Sequence, residues 1–261
     1  HLLIIGAGPI GVELAQAYQR LGAAVTIIDV GLLPLLPPEA GAALAQVFVA
    51  EGIEVVEGLV TAVSHSDNQF TVQVGEQSIQ GDMLLAALGR RPNVTGLGLE
   101  KAGVVFDEKS GIVVNEKLQT AVSHIYAAGD CVGGQQFTHF AGWQAFQAAR
   151  NALLPGSSKG FTHTVPATIF TDPEIAFVGL TEVEAQAQYG DDLVVTTVGM
   201  DRVDRAVVDD DTIGCIKILH QRNGTIVGAL IIAARAGELI NEFALAIKHS
   251  LKVGDLAATI H

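Results

Sequence analysis

The chain has 261 residues, of which 49% are hydrophobic and only 16% charged, and its formal net charge is −13. Such a chain fills a sizeable core and is not disordered, and its acidity argues against a nucleic acid or an anionic membrane surface as partner. No apolar run nears the roughly 20 residues that cross a bilayer; the longest, 226–234, reads as a strand.

Residues 2–5 are a wholly apolar run, the pattern of a parallel strand covered on both faces. Nothing in these first residues reads as a signal peptide, and a start inside a buried strand is what an excerpt of a longer chain would show. Gly6, Gly8 and Gly11 follow with G-x-G-x-x-G spacing. Gly6 permits the sharp turn off the strand, Gly8 lets a pyrophosphate reach the backbone, and Gly11 lets the helix pack close on the strand. Pro9 suits the first turn of that helix, whose unpaired N–H groups and dipole favour an anion. Residues 25–28 are the next apolar strand, closed by Asp29 at the distance where a carboxylate accepts from ribose hydroxyls. The alternative is a glycine-rich turn in another α/β protein. The strand before, the helix after and the acidic residue beyond favour a dinucleotide site. Asp29 would repel a 2′-phosphate, and no Arg or Lys lies between Val30 and Ala50 to receive one. NAD(H) is therefore expected rather than NADP(H).

Residues 32–38 form a loop rich in leucine and proline. Pro37, Pro38 and Glu39 open a second helix to about Glu51, with Ala42, Leu44, Ala45, Val47 and Phe48 apolar. Gly52 ends it and 53–56 make a third parallel strand, so the chain begins βαβαβ, one half of a doubly wound sheet. Segments 59–65, 70–74 and 77–80 read as an antiparallel meander with turns at Asp67-Asn68 and Gly75, and 83–88 returns as a buried strand. Gly89-Arg90-Arg91-Pro92-Asn93, taken alone, is a charged turn. Two short strands are expected at 112–115 and 125–128. The second runs into Gly129-Asp130-Cys131. An Asp at the carboxyl end of a buried strand sits where open α/β sheets bind ligands, and it also suits a cap or turn; spacing leaves both open.

Residues 137–154 predict a helix with Phe140, Trp143, Ala145, Phe146 and Ala149 apolar, and 155–160 a linker. After it the pattern changes. Strands are expected at 165–170, 175–178, 193–199, 213–220 and 225–232, the last two joined by a turn at Asn223-Gly224. Thr181 and Glu184 form a capping box at the head of a helix over 181–188, and 237–251 is amphipathic. This part reads as a separate α+β unit. Cys131 and Cys215 stand far apart without metal-ligand spacing and read as reduced thiols of a cytoplasmic protein. The eight scattered histidines offer no metal site.

At this point the chain resembles the pyridine nucleotide–disulfide oxidoreductases, in their dihydrolipoyl dehydrogenase and mercuric-reductase-like branch. The resemblance rests on six motifs in order: GAGPIGVELA at 6–15, GRRPN at 89–93, IYAAGDC at 125–131, FTH at 137–139, FTDPEIAFVGLTE at 170–182 and AGELINEFALAI at 236–247. It implies a Rossmann-type NAD domain over 1–88, the later part of an FAD domain over 89–160, and a homodimerising interface domain over 161–261. The family's NAD contacts would fall on Gly6, Ala7, Gly8, Pro9, Ile10, Gly11, Val12, Glu13, Asp29, Val60 and Gly89. Its FAD contacts would fall on Asp130, toward the ribityl chain, and on Gln136, Phe137, Thr138 and His139. Glu13 matches a glutamate that pairs with a lysine beside the flavin; taken alone it is a helix-surface carboxylate near a positive helix end.

The implied activity is hydride transfer between NAD(H) and FAD, with a disulfide or related acceptor. The family's own FAD glycine motif and its C-x-x-x-x-C pair are not in this stretch, and Cys131 and Cys215 do not replace that pair. Pro9 stands where some members carry an aromatic gate over the nicotinamide pocket. His261 falls near the family's catalytic histidine and receives no role, so no catalytic residue is assigned. The readings set beside this one are a flavoenzyme on the same scaffold without a thiol step, and a non-catalytic nucleotide-binding and dimerisation module.

Overall fold

The structure is a computed structural model that describes residues 1–260; the expectation for His261 lies outside them. The chain divides into two compact units, 1–89 together with 166 onward, and 90–165.

The first unit opens with β1 (Leu2–Ile5), α1 (Pro9–Arg20), β2 (Val25–Asp29), α2 (Pro38–Glu51) and β3 (Glu54–Glu57). A meander of β4 (Val60–Ser66), β5 (Gln69–Val74) and β6 (Gln77–Gly81) follows, then β7 (Met83–Ala86). The sheet order is β3-β2-β1-β7, all parallel, with Ile4 level with Ile27 on one side and Leu85 on the other. Helix α2 buries Ala40, Ala43, Leu44, Val47 and Phe48, the i, i+3, i+4, i+7, i+8 stripe of a core-facing helix, and ends at Gly52 in the left-handed conformation, φ 78°. The meander is antiparallel and buries Val72 and Ile79 against Leu3 and Ile28.

After residue 165 the chain returns to this unit with β10 (Ala167–Ile169), β11 (Glu174–Gly179), α4 (Glu182–Tyr189), β12 (Leu193–Gly199), α5 (Asp204–Asp209), β13 (Cys215–Gln221), β14 (Ile226–Ala233), α6 (Ala236–Lys248) and α7 (Val253–Ala257); β8, β9 and the third helix belong to the second unit, described below. The five strands form one antiparallel sheet, β10-β11-β14-β13-β12. Thr181 caps α4 through the expected box: its hydroxyl accepts from Glu184 N, and its own N–H donates to the Glu184 carboxylate at 2.8 Å. The short helices α5 and α7 have no counterpart among the expected elements.

Strand β14 is buried at every position. Alternate side chains explain why. Leu230 and Ile232 join Ala40, Ala43, Leu44 and Phe48 of α2 in one core, whereas Ala229, Ile231 and Ala233 pack with Ala236 and Ile240 of α6. At β14 the five-stranded sheet is thus covered on both faces, and one face shares its core with the dinucleotide-type layer.

In the second unit, β8 (Phe106–Asp107) pairs with β9 (Gly111–Ile112), and α3 (Thr138–Leu153) is the main helix. Two expectations are corrected here. The strand over 112–115 is reduced to its first residue, because Asn115 turns the chain by accepting from Lys117 N and Gln119 N. The strand over 125–128 does not form. It folds back locally, Thr120 N donating to Ile125 O and Ala127 N to Leu118 O, so it makes one isolated bridge, Gln119 to Tyr126, rather than a ladder.

Candidate functional site

The loop between β1 and α1 is built around three glycines with different surroundings. Gly6 holds φ +105°, and a Cβ there would lie 2.4 Å from Ala87 O. A Cβ on Gly11 would lie 1.9 Å from Gly6 O. Neither position has room for a side chain. Gly8 is the N-cap of α1, and a Cβ on it would meet nothing within 4 Å. Its backbone therefore faces open space at a helix end with no side-chain cap and no acidic residue in the first turn, the surroundings that suit an anion. Pro9 and Ile10 are exposed and Val12 is fully buried, which fixes the face α1 turns to the core.

Ala7 is held from both sides. Its N–H donates to Asp29 Oδ2 at 2.7 Å, and its carbonyl accepts from Leu33 N at 2.9 Å. Asp29 Oδ1 also accepts from Val30 N at 2.7 Å. The carboxylate that closes β2 thus organises the loop as well as lining it. Glu13 Oε1 accepts from Phe170 N at 2.8 Å, so in this chain it anchors the segment that leaves β10. Val60 begins β4 and packs on the meander's core. Gly89, φ +103°, has open space around it.

In the second unit Arg90 lies beside the GDC turn. Arg90 donates to Gln136 O at 2.9 Å, and its guanidinium lies 3.9 Å from Asp130 Oδ2. The GDC turn sits on α3: a Cβ on Gly129, φ +80°, would lie 2.9 Å from Ala141 Cβ. Gln144, 1% exposed, accepts from Gly129 N at 2.9 Å and donates to Gly160 O at 3.0 Å. Helix α3 begins at Thr138 with Phe137 as N-cap and carries no side-chain cap and no acidic residue in its first turn. Phe137 and His139 stack with ring centroids 5.5 Å apart. Gln136, Phe137, Thr138 and His139 therefore follow the Asp130 turn at a helix end that suits an anion.

Sequence reasoning missed Arg90 and Gln144, and it also missed two linked clusters in the first unit. Gln16, 3% exposed, donates to Asp172 O at 2.9 Å and accepts from Asp172 N at 2.8 Å, beside the cis Asp172-Pro173 bond. Arg20 joins Glu51 and Asp172 there, and its pKa is raised, chiefly by the Glu51 hydrogen bond. Lys217, 6% exposed, is ion-paired with both Glu39 and Glu182, the latter at 2.8 Å. The only advance signal was a polar residue inside an apolar stretch. Burial pushes the Cys215 thiol up, and both cysteines are free, which fits structural thiols. No cluster of metal-ligating side chains occurs among the described residues.

Residues 1–152 match the family described as pyridine nucleotide-disulphide oxidoreductase, and residues 165–261 match its dimerisation domain. The chain belongs to the pyridine nucleotide-disulphide oxidoreductase family. That family is FAD- and NAD(P)-dependent. The chain is 39% identical over 260 residues to a mercuric reductase of Acidithiobacillus ferrooxidans, covering 98% of this chain and 47% of that protein. It is 37% identical over 272 residues to a dihydrolipoyl dehydrogenase of Thermus scotoductus, covering 100% of this chain and 58% of that protein. The chain thus spans about half the length of the curated relatives it matches. Among solved structures it is similar to the HOCl-induced flavoprotein disulfide reductase RclA from Escherichia coli, with TM-score 0.90, 30% identity, and coverage of 100% of this chain and 61% of that one. It is equally similar to LpdA from Mycobacterium tuberculosis, with TM-score 0.91, 30% identity, and coverage of 100% and 58%. Among the described residues no helix is long and apolar enough to cross a membrane.

Proposed function

We propose that this chain is part of an FAD-dependent, NAD(H)-linked oxidoreductase that passes reducing equivalents to or from a disulfide or related acceptor. The three stretches 1–88, 89–160 and 161–261 act as NAD-binding, FAD-binding and dimerising parts. The observation that carries the reading is the open backbone at Gly8, between two glycines whose surroundings admit no Cβ. Gly6, Ala7, Gly8, Pro9, Ile10, Gly11, Val12 and Glu13 form the dinucleotide loop and its helix, Asp29 takes the adenosine ribose, and Val60 and Gly89 line the same site. Asp130 and the α3 start, Gln136, Phe137, Thr138 and His139, hold the flavin side. Bound there, nicotinamide and flavin supply the hydride chemistry, and the chain's own groups bind and orient them. Asp29 supports NADH over NADPH, since a 2′-phosphate beside its carboxylate is repelled. A homodimer through residues 165–261 follows from the family's dimerisation domain, and two free thiols fit a reducing cytoplasm.

The test is NADH titration of the intact flavoprotein. Gly8→Ala, with open space and φ −72°, should fold normally and weaken NADH by tenfold or more, about 1.4 kcal/mol. Gly11→Ala should disrupt the loop itself. Unchanged NADH affinity in Gly8→Ala, or a flavin that NADH fails to bleach anaerobically, would sink the reading.

A further inference from the structure

The buried lysine Lys217 belongs to β13 of the dimerisation sheet, far along the chain from the glycine loop, yet a short series of contacts joins them. Its ammonium pairs with Glu39, the second residue of α2, and with Glu182, the first residue of α4. The N-cap of α2 is Pro37, which makes no side-chain cap, and the Lys217–Glu39 pair ties that helix end to β13 beside the buried Ala40. The segment before α2 lies close against its first turn, since a Cβ on Gly41 would lie 2.5 Å from Leu32 O. That segment carries Leu33, 2% exposed, whose N–H holds the Ala7 carbonyl inside the G-x-G turn. We propose that Lys217 is a positioning residue for the dinucleotide loop, acting through Glu39, the head of α2 and Leu33. The proposal rests on the glycine loop being the NAD site.

The asymmetry of the triad says which end yields when the lysine is lost. Glu39 Oε2 is buried without a hydrogen-bond partner. The Glu39 side chain is 36% exposed, so its other oxygen keeps contact with water, but without Lys217 the buried Oε2 has neither counter-charge nor donor and is hydrated by a shift at the head of α2. Glu182 is 48% exposed and stays solvated in place. Loss of Lys217 should therefore displace α2 rather than α4, and Leu33 with it.

NADH affinity, flavin content and melting temperature are measured on the intact holoenzyme for five variants. Lys217→Met and Glu39→Ala should weaken NADH by about tenfold while flavin content is retained. Glu182→Ala breaks the other arm of the same triad and should leave NADH affinity within about twofold. Lys217→Arg should restore most of the loss. Equal weakening by Glu39→Ala and Glu182→Ala reduces Lys217 to a general structural role and overturns the proposal. So does wild-type NADH affinity in folded Lys217→Met, and if that variant does not fold the Glu39 and Glu182 pair still decides. Gly8→Ala is the fifth variant. If it binds NADH normally, the glycine-loop reading has failed and the proposal fails with it; if Gly8→Ala alone loses affinity, only the proposal fails.

Discussion

At the scale of single residues, the site depends on polar groups that each satisfy two partners. Asp29 accepts from Ala7 N and Val30 N with different oxygens. An Asn at that position accepts with one oxygen only, so one loop N–H loses its acceptor at a cost of about 1–3 kcal/mol. Asp29→Asn should weaken NADH and shift the NADH-to-NADPH affinity ratio toward NADPH, read from the two dissociation constants; an unchanged ratio would count against Asp29 as the selector. Gln16 closes both the N–H and the C=O of Asp172, so Gln16→Ala should cost at least about 1–3 kcal/mol in urea unfolding, whereas a loss below about 0.5 kcal/mol would mean water replaces it. The glycines and Asp29 were legible in the sequence because strand, turn, helix and closing carboxylate follow one another within 29 residues, whereas the Ala87 carbonyl that closes in on Gly6 was not. Gln16, Arg90, Gln144 and Lys217 were not, because nothing local marks a pairing such as Gln16 with Asp172, 156 residues apart.

At the scale of elements, stop and start signals carried furthest where they were covalently local. The Thr181 box and the Gly52 stop fall where spacing placed them. Thr181→Ala should lower stability by about 0.5–2 kcal/mol, and with Glu184→Ala the two losses should add to less than their sum, since they share hydrogen bonds; strict additivity in denaturation would contradict the box. Strand readings failed where partners were lacking: 125–128 had the composition of a strand but pairs only with its own preceding turn. The unbroken apolar run over 226–234 held more than was read from it. An antiparallel strand with one wet face alternates, so eight buried positions in a row already meant two covered faces.

At the scale of the whole molecule, the Lys217 triad sets a pH signature. Burial pushes Glu39 up, but the hydrogen bond and charge of Lys217, with the helix backbone, hold its pKa below the usual carboxylate range. Burial pushes Lys217 down, but its hydrogen bonds to Glu182 and Glu39 hold it above the usual lysine range. The Glu39 contribution is present above the ordinary glutamate pKa and lost as pH falls through its depressed folded value. The Lys217 contribution is present below the ordinary lysine pKa and lost as pH rises through its raised one. The melting-temperature gap between wild type and Lys217→Met should be flat from about pH 6 to 9 and shrink below about pH 4; a gap that peaks near neutrality would implicate another group. The shared core also has a consequence for synthesis. Phe48 and Leu44 complete their packing against Leu230 and Ile232, which leave the ribosome roughly 180 residues later, about 10–40 s at ordinary elongation rates. For that interval the part of the α2 stripe that meets Leu230 and Ile232 is open to solvent, so a nascent chain halted before β14 should show it as bound hydrophobic dye that the completed chain lacks.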